Sequence, residues 1–359
     1  MDRRPIRAAL PPHRVRHRLA RAQAVAAGVH IDRNLINRRL TRVVVALGFI
    51  LVGVWFVTHP SHPARTLIVG VDDDTLKWTP FPLTVVRRQE SLDASAVRVW
   101  VPWRGEIVPT AVRRVELSRA ETAARKTTVV LAVFGFGAST PTAAWQQRRF
   151  CGYAKAALAL VPNAKAVVVW NEANSPAYWR GTPAQYESLL ARCYGELHSK
   201  HVAVLDSTAS AHNPIRFLDA LAIAYRASKR TQPIVDGFGS NPYPLTPTEL
   251  PSVVHTGDFL GEGDYTRLVT TLQAFGRTPS IWYLEDGFQT TKISAAQQAR
   301  DVTSAIDMAA CQPDVRAFFN FELVDESRTI GWHSGLIWRG GKEKPAATAF
   351  ADAPRRCHT

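Results

Sequence analysis

Two glutamates carry the first chemical signal in this chain. Glu172 follows the apolar run VVVW in WNEAN, residues 170–174, and Glu285 closes WYLE in WYLEDGF, residues 282–288. They stand 113 positions apart. A charge at the end of a strand built for an apolar interior costs several kcal/mol unless it is paired or hydrogen-bonded. Two carboxyl groups facing each other suit cleavage of an acetal. One is kept neutral to protonate a leaving oxygen, and the other is ionised to attack carbon. Aromatic residues whose faces could carry sugar rings are Trp78, Trp100, Trp170, Tyr243, Trp282 and Trp332.

These glutamates meet only if the intervening elements bring them together. Eight short apolar runs are bounded by turn residues: 66–71, 96–101, 127–135, 164–170, 202–207, 234–240, 280–285 and 315–321. Amphipathic stretches at 82–94, 142–161, 182–200, 213–228, 294–310 and 345–351 lie between or after them, several opening with Thr, Ser or Asn beside Pro as helices do. Such alternation predicts βαβ units, and eight of them predict a (β/α)8 TIM barrel of the α/β class over 66–352. An open doubly wound sheet would show a Gly-rich phosphate turn after the first strand. Here GVDDDTLKW stands in that place, and the two glycines of VFGFGAST (133–140) follow the third run. In a barrel, the ends of the fourth and seventh runs face each other across the mouth where active sites sit. Other candidates are Arg98 inside the second run and Asn171, Asn241 and Tyr243 at strand ends.

WNEAN resembles the Asn-Glu motif at the end of strand 4 in clan A glycoside hydrolases, and WYLEDGF resembles their strand 7 nucleophile motif. Arg98 is placed like the strand 2 arginine that contacts the nucleophile there. The segment GLIWRGGKEKPAATAF is similar to the end of such domains. The resemblance implies Glu172 as acid/base, Glu285 as nucleophile and Asn171 as a sugar contact, in a retaining mechanism without a cofactor. Arg98, Asn241, Tyr243, Trp78, Trp282 and Trp332 are the further substrate-binding candidates. Two positions depart from the pattern: Ala173 replaces the Pro after Asn-Glu, and Asn241 stands where many members place a His.

The net charge of +14 is concentrated at one end: residues 1–42 hold eleven arginines against Asp2 and Asp32. That removes the main support for a nucleic-acid partner of the whole chain. Residues 43–58 carry no charge, and the reading is a basic cytoplasmic tail (1–42), an uncleaved transmembrane signal anchor (43–59) and a linker (60–65). The barrel then lies outside a cell membrane as a single-pass protein, with 353–359 as a C-terminal tail and a monomer expected. Four cysteines in an oxidising compartment suggest two bridges. Sequence allows three pairings; the barrel favours Cys151–Cys193 between neighbouring helices and Cys311–Cys357 between the last two. No HExxH or HxH pair occurs, so no catalytic metal is expected. Asp72, Asp73 and Asp74 read as a solvated loop with a helix cap. Ser207, Ser210 and His212 lack a GxSxG elbow, and Glu322, Asp325 and Glu326 read as loop charges near the site. A phosphate-binding enzyme would need an anion site, which Gly340–Gly341 with Arg339 and Lys342 imitate. A sugar-binding barrel that has lost turnover is the alternative of a different class.

Overall fold

The computed structural model describes residues 65–209, 213–276, 280–326 and 331–358. The expected basic tail, spanning segment and nearly all of the linker lie outside the described residues. Among the described residues, no helix is long and apolar enough to cross a membrane.

The strands are β1 (Ile68–Asp72), β2 (Ala96–Pro102), β3 (Thr128–Phe134), β4 (Ala166–Val169), β5 (Ala203–Leu205), β6 (Thr208–Ala209), β7 (Gly237–Asn241), β8 (Ser280–Asp286) and β9 (Val315–Asn320). The helices are α1 (Thr75–Trp78), α2 (Pro82–Glu90), α3 (Ala111–Ala124), α4 (Ala144–Leu160), α5 (Pro183–Leu197), α6 (Pro214–Ala227), α7 (Tyr265–Leu272), α8 (Ala295–Cys311) and α9 (Pro345–Asp352). All strand pairings are parallel. β1 pairs with both β2 and β9, and β5 pairs with β7, which closes the ring into an eight-stranded barrel. The two-residue β6 continues β5 beyond Asp206 and Ser207 and also pairs with β7. Each of the eight apolar runs is therefore a barrel strand.

The valine-rich runs need burial on both faces, and they receive it: β4 is buried at every position, between the barrel interior and the helical ring. At Gly239 the strand has no room for a side chain, since a Cβ would lie 2.3 Å from both the Asp206 carbonyl oxygen and Leu284. Helix starts follow their caps. Thr182 accepts from Gln185 N at 3.2 Å while Gln185 Oε1 accepts from Thr182 N at 2.8 Å, and Pro183 fills the first helical position. Two outer helices, α3 and α7, fall in stretches the periodicity did not mark. α3 buries mainly Leu117 and alanines, with Val112 and Val115 exposed, so its apolar stripe is faint; α7 has only eight residues.

Both expected disulfides are present. Cys151 on α4 joins Cys193 on α5 with Cα atoms 5.0 Å apart, and Cys311 joins Cys357 at 4.5 Å. The second bridge ties down the segment read as a tail. Arg355 O accepts from Leu67 N at 2.8 Å, and Arg356 Nε donates to Thr66 Oγ1 at 2.9 Å, so the chain end fastens to the entry of β1. The first bridge spans 42 residues, and a loop of that size implies up to about 4 kcal/mol of stabilisation from the unfolded side. The double variant Cys151→Ala/Cys193→Ala is expected to melt clearly below the parent in differential scanning calorimetry, with α4 and α5 still paired through their apolar faces.

Candidate active site

Six strands bring polar side chains to one mouth of the barrel. At its centre is Arg98, the one charged residue in the otherwise apolar β2, and it is 3% exposed. Arg98 Nη1 lies 2.8 Å from Asp72 Oδ1 at the end of β1 and 2.9 Å from Glu285 Oε1 on β8. Its Nη2 donates to Asn171 Oδ1 at 3.0 Å, and the same oxygen accepts from Ser207 Oγ at 3.2 Å. Tyr243 OH donates to Glu285 Oε2 at 3.2 Å, and Asn241 Nδ2 donates to Glu172 Oε1 at 3.1 Å. Glu172, Glu285, Arg98, Asn171, Asn241 and Tyr243 thus belong to one network. Because Asn171 Oδ1 is occupied twice, contact with a ligand falls to its Nδ2.

The backbone is bent to make this arrangement. Trp170 (φ 72°) and Glu172 (φ 41°) both adopt left-handed conformations, uncommon for side chains of their size. The bend is held on both sides. Trp170 N donates to Val133 O at 3.0 Å, Trp170 Nε1 donates to Tyr178 O at 3.0 Å, and Ser175 N donates to Glu172 O at 2.7 Å. On β8 a register slip serves the same end. Tyr283 opposes Phe318 and Asp286 opposes Asn320, so three steps on β8 match two on β9. A bulge of this kind re-aims a side chain, here next to Glu285.

The charges are unequal. Burial pushes the Glu172 carboxyl up to about 7, the charge of Glu285 adds to that, and the Asn241 bond and Arg98 act against it. Burial also raises Asp72 well above the usual range against the pull of Arg98. Burial alone would lower Arg98, yet Asp72 and Glu285 more than reverse this and hold it as a cation. Glu322, at the end of β9, is pushed up to about 9 by burial and by Glu326, Asp72, Asp73 and Asp325.

Replacing Arg98 would leave two buried carboxyl groups without their shared cation. Breaking a buried pair this way costs about 3–5 kcal/mol. Arg98→Ala is therefore expected to shift the urea midpoint strongly downward, and an unchanged midpoint would show that the network is not structural.

The aromatic candidates separate. Trp332 is 37% exposed and stacks on Tyr243 with ring centroids 5.2 Å apart, and Phe321 packs edge-on against it at 5.4 Å. A second wall forms where Phe136, 55% exposed, stacks on Tyr178 at 5.6 Å and meets Trp100 at 5.9 Å. Burial raises the Tyr178 hydroxyl, and Glu172 and Glu285 raise it further, which places it in the field of both. Three expected platforms do not join the network. Trp170 is fully buried and serves as core, Trp282 is 9% exposed within β8, and Trp78 is 59% exposed beside Lys77.

Sequence reasoning missed three members. Asp72 is not in a solvated loop: it is the last residue of β1 and is buried, as is Asp73, whose Oδ1 accepts from Thr75 N at 2.9 Å and so supplies the helix-start contact. Ser207 holds Asn171, whereas Ser210 and His212 lie outside the described residues. Tyr178 had only the aromatic pair after WNEAN as a signal. The phosphate reading finds no helix start at 339–342, which form an exposed turn, with Gly341 at φ 85°.

No protein-family model matches the chain, and no curated protein matches it. Solved structures do. A family 39 glycoside hydrolase from Bacteroides cellulosilyticus WH2 aligns with TM-score 0.62 and 16% identity over 80% of this chain, and this chain spans 63% of that one. GH5_18 from Streptomyces cattleya, solved with GlcNAc, aligns with TM-score 0.59 and 19% identity over 81% of this chain and 80% of its own. GH5_18 from Bifidobacterium longum subsp. infantis gives TM-score 0.58 and 17% identity over 81% and 79%. Identities this low establish likeness of fold: the described chain is an eight-stranded parallel α/β barrel of the kind these glycoside hydrolase structures have.

Proposed function

We propose that this chain is a retaining glycoside hydrolase that cleaves O-glycosidic bonds of a polysaccharide or glycoconjugate. The observation that carries the proposal is the division of labour between two glutamates at one barrel mouth. Glu285 is held by Arg98 and Tyr243, while Glu172 is raised to about 7 and so keeps its proton near neutrality. The likeness of fold to glycoside hydrolase barrels supports it.

In the first step, a Glu285 carboxylate oxygen attacks the anomeric carbon. The bond to the leaving oxygen breaks as Glu172 gives that oxygen its proton. A glycosyl ester on Glu285 results. In the second step Glu172, now ionised, takes a proton from water as the water oxygen attacks the same carbon, and Glu285 departs as carboxylate. Two inversions retain configuration. Asn171 Nδ2 would donate to a sugar hydroxyl, and Trp332 with Tyr243 would carry an apolar sugar face. Residues 43–59 would anchor the barrel outside a membrane, a placement that suits two disulfides.

The test is a panel of aryl glycosides incubated with the full chain in detergent, with the anomer of the first product followed by NMR. Release of the aryl group with retained configuration is expected. Binding of glycans without any release would instead favour the sugar-binding barrel, and an inverted first product would sink double displacement. Protease accessibility of the barrel on intact cells checks the placement.

A further inference from the structure

Beside the strand end that carries Glu285, five buried side-chain oxygens have no hydrogen-bond donor. They are Glu262 Oε1 and Oε2, Asp286 Oδ2, Gln298 Oε1 and Asn320 Oδ1. Their residues are at most 1% exposed. Buried polar groups almost always find partners, so a cluster of acceptors lacking them calls for a positive partner.

Several links place these oxygens together. Asp286 ends β8, Asn320 ends β9, and the two are ladder partners, so their side chains leave the sheet on one face. Asn320 Nδ2 donates to Ser334 O at 3.2 Å and to Glu322 O at 2.8 Å. Gln298 on α8 donates its Nε2 to the adjacent Gly335 O at 3.2 Å. Both amides thus have their nitrogens fixed on carbonyls and present an oxygen on the other side. Glu262 lies in the short turn before α7. Its carbonyl accepts from Gln312 Nε2 at 3.1 Å, and Gln312 Oε1 accepts from Tyr283 OH of β8 at 2.6 Å. After burial, the charge of Asp286 is what raises the Glu262 carboxyl, so the two carboxyl groups are neighbours. Among the described residues the one bond to either is Gly287 N donating to Asp286 Oδ1 at 2.7 Å. Among the described residues no Lys, Arg or His pairs with them. Asp301 on α8 adds a further negative charge close by.

We propose that Glu262, Asp286, Gln298 and Asn320 form a binding site for a hard divalent cation, with Ca2+ the best match. Carboxylate and amide oxygens are the donor set of Ca2+, which accepts six to eight oxygens in loose geometry. Softer metals prefer nitrogen or sulfur, and neither is offered here. Mg2+ holds its waters tightly, and a site this dry suits it less. Among the described residues no three His, Cys, Asp or Glu side chains gather around one point; this set is mixed, two carboxylates with two amides. A bound cation would neutralise both carboxylates and tie β8, β9, α8 and the turn before α7 together, next in the chain to Glu285.

The full chain purified in detergent tests this without reference to glycosidase activity. Its metal content is measured by mass spectrometry, and its Tm is measured in EGTA and in about 1 mM CaCl2. The expected result is about one Ca2+ per chain and a Tm that rises by about 3 °C or more with CaCl2. Glu262→Gln and Asp286→Asn are each expected to bind Ca2+ at least about tenfold more weakly in calorimetric titration and to melt at a Tm indifferent to EGTA. Binding of Mg2+ alone would keep a cation there and overturn the choice of Ca2+. A metal-free chain whose Tm is the same in EGTA, CaCl2 and MgCl2 would overturn the proposal and leave a proton shared by the two carboxyl groups. Should the variants fail to fold, the metal content and Tm response of the unaltered chain decide.

Discussion

Glu285→Gln is expected to lower the turnover of an aryl glycoside by about 10^4-fold or more, with the barrel still folded. The amide is nearly isosteric and keeps an oxygen for Arg98 and a place for the Tyr243 hydroxyl. What it loses is the negative charge that makes the oxygen a nucleophile toward the anomeric carbon, and no neighbour replaces it. Asp72 shares the nitrogen that holds Glu285, 2.8 Å from Arg98 Nη1, and burial raises its carboxyl well above the usual range. A second variant separates a lost nucleophile from a disturbed site. Glu285→Ala with added azide should regain turnover and yield a glycosyl azide of inverted configuration, because the small anion attacks from the vacated face. Full activity in Glu285→Gln would end the assignment, and so would azide that changes nothing while the variant binds substrate normally.

Glu172→Gln should lose about 10^2–10^4-fold, and the loss should depend on the leaving group. A dinitrophenol departs without a proton, so its first step should survive, whereas an alkyl glycoside should not turn over. In the parent, rate should fall as pH rises through about 7, where Glu172 gives up its proton, and this limb should vanish in the variant. Stability supplies a readout independent of turnover. The folded-state value near 7 lies above the ordinary 4.5, so the parent is favoured below pH 4.5 and loses stability as pH rises through 7. The neutral amide carries no such penalty. At pH 8 Glu172→Gln should exceed the parent by on the order of 2 kcal/mol, roughly 4 °C in Tm, with the difference gone at pH 4. Equal melting at both pH values would mean that Glu172 is well solvated, and the acid role would fall with it.

The Arg98 network explains why the two glutamates differ. Glu285 takes a direct bond from the guanidinium and another from Tyr243. Among the described residues the Glu172 carboxyl has one neutral partner, the Asn241 amide, and it feels Arg98 only as a minor influence. The amide of Asn241 donates to Glu172 without adding charge; that bond favours the carboxylate, and burial together with the charge of Glu285 outweighs it.

The amino-acid sequence alone determined the eight strands, most of the outer helices and the two glutamates at strand ends. Those features are local. A strand buried on both faces must be apolar along its length, and helix starts need capping side chains, so both appear as patterns within a few residues. Even the cysteine pairing followed once helices were placed in ring order. Tertiary structure alone decided the rest. That Asp72 faces Arg98 rather than water depends on β1 lying beside β2, and that Ser207 reaches Asn171 depends on β5 lying beside β4. The slip that aims Glu285 depends on how β8 registers with β9. A tryptophan looks the same in sequence as core or as platform. Ring closure buried Trp170 and left Trp332 at the mouth, because exposure is set by which distant segments arrive, and that is not written in any short stretch of chain.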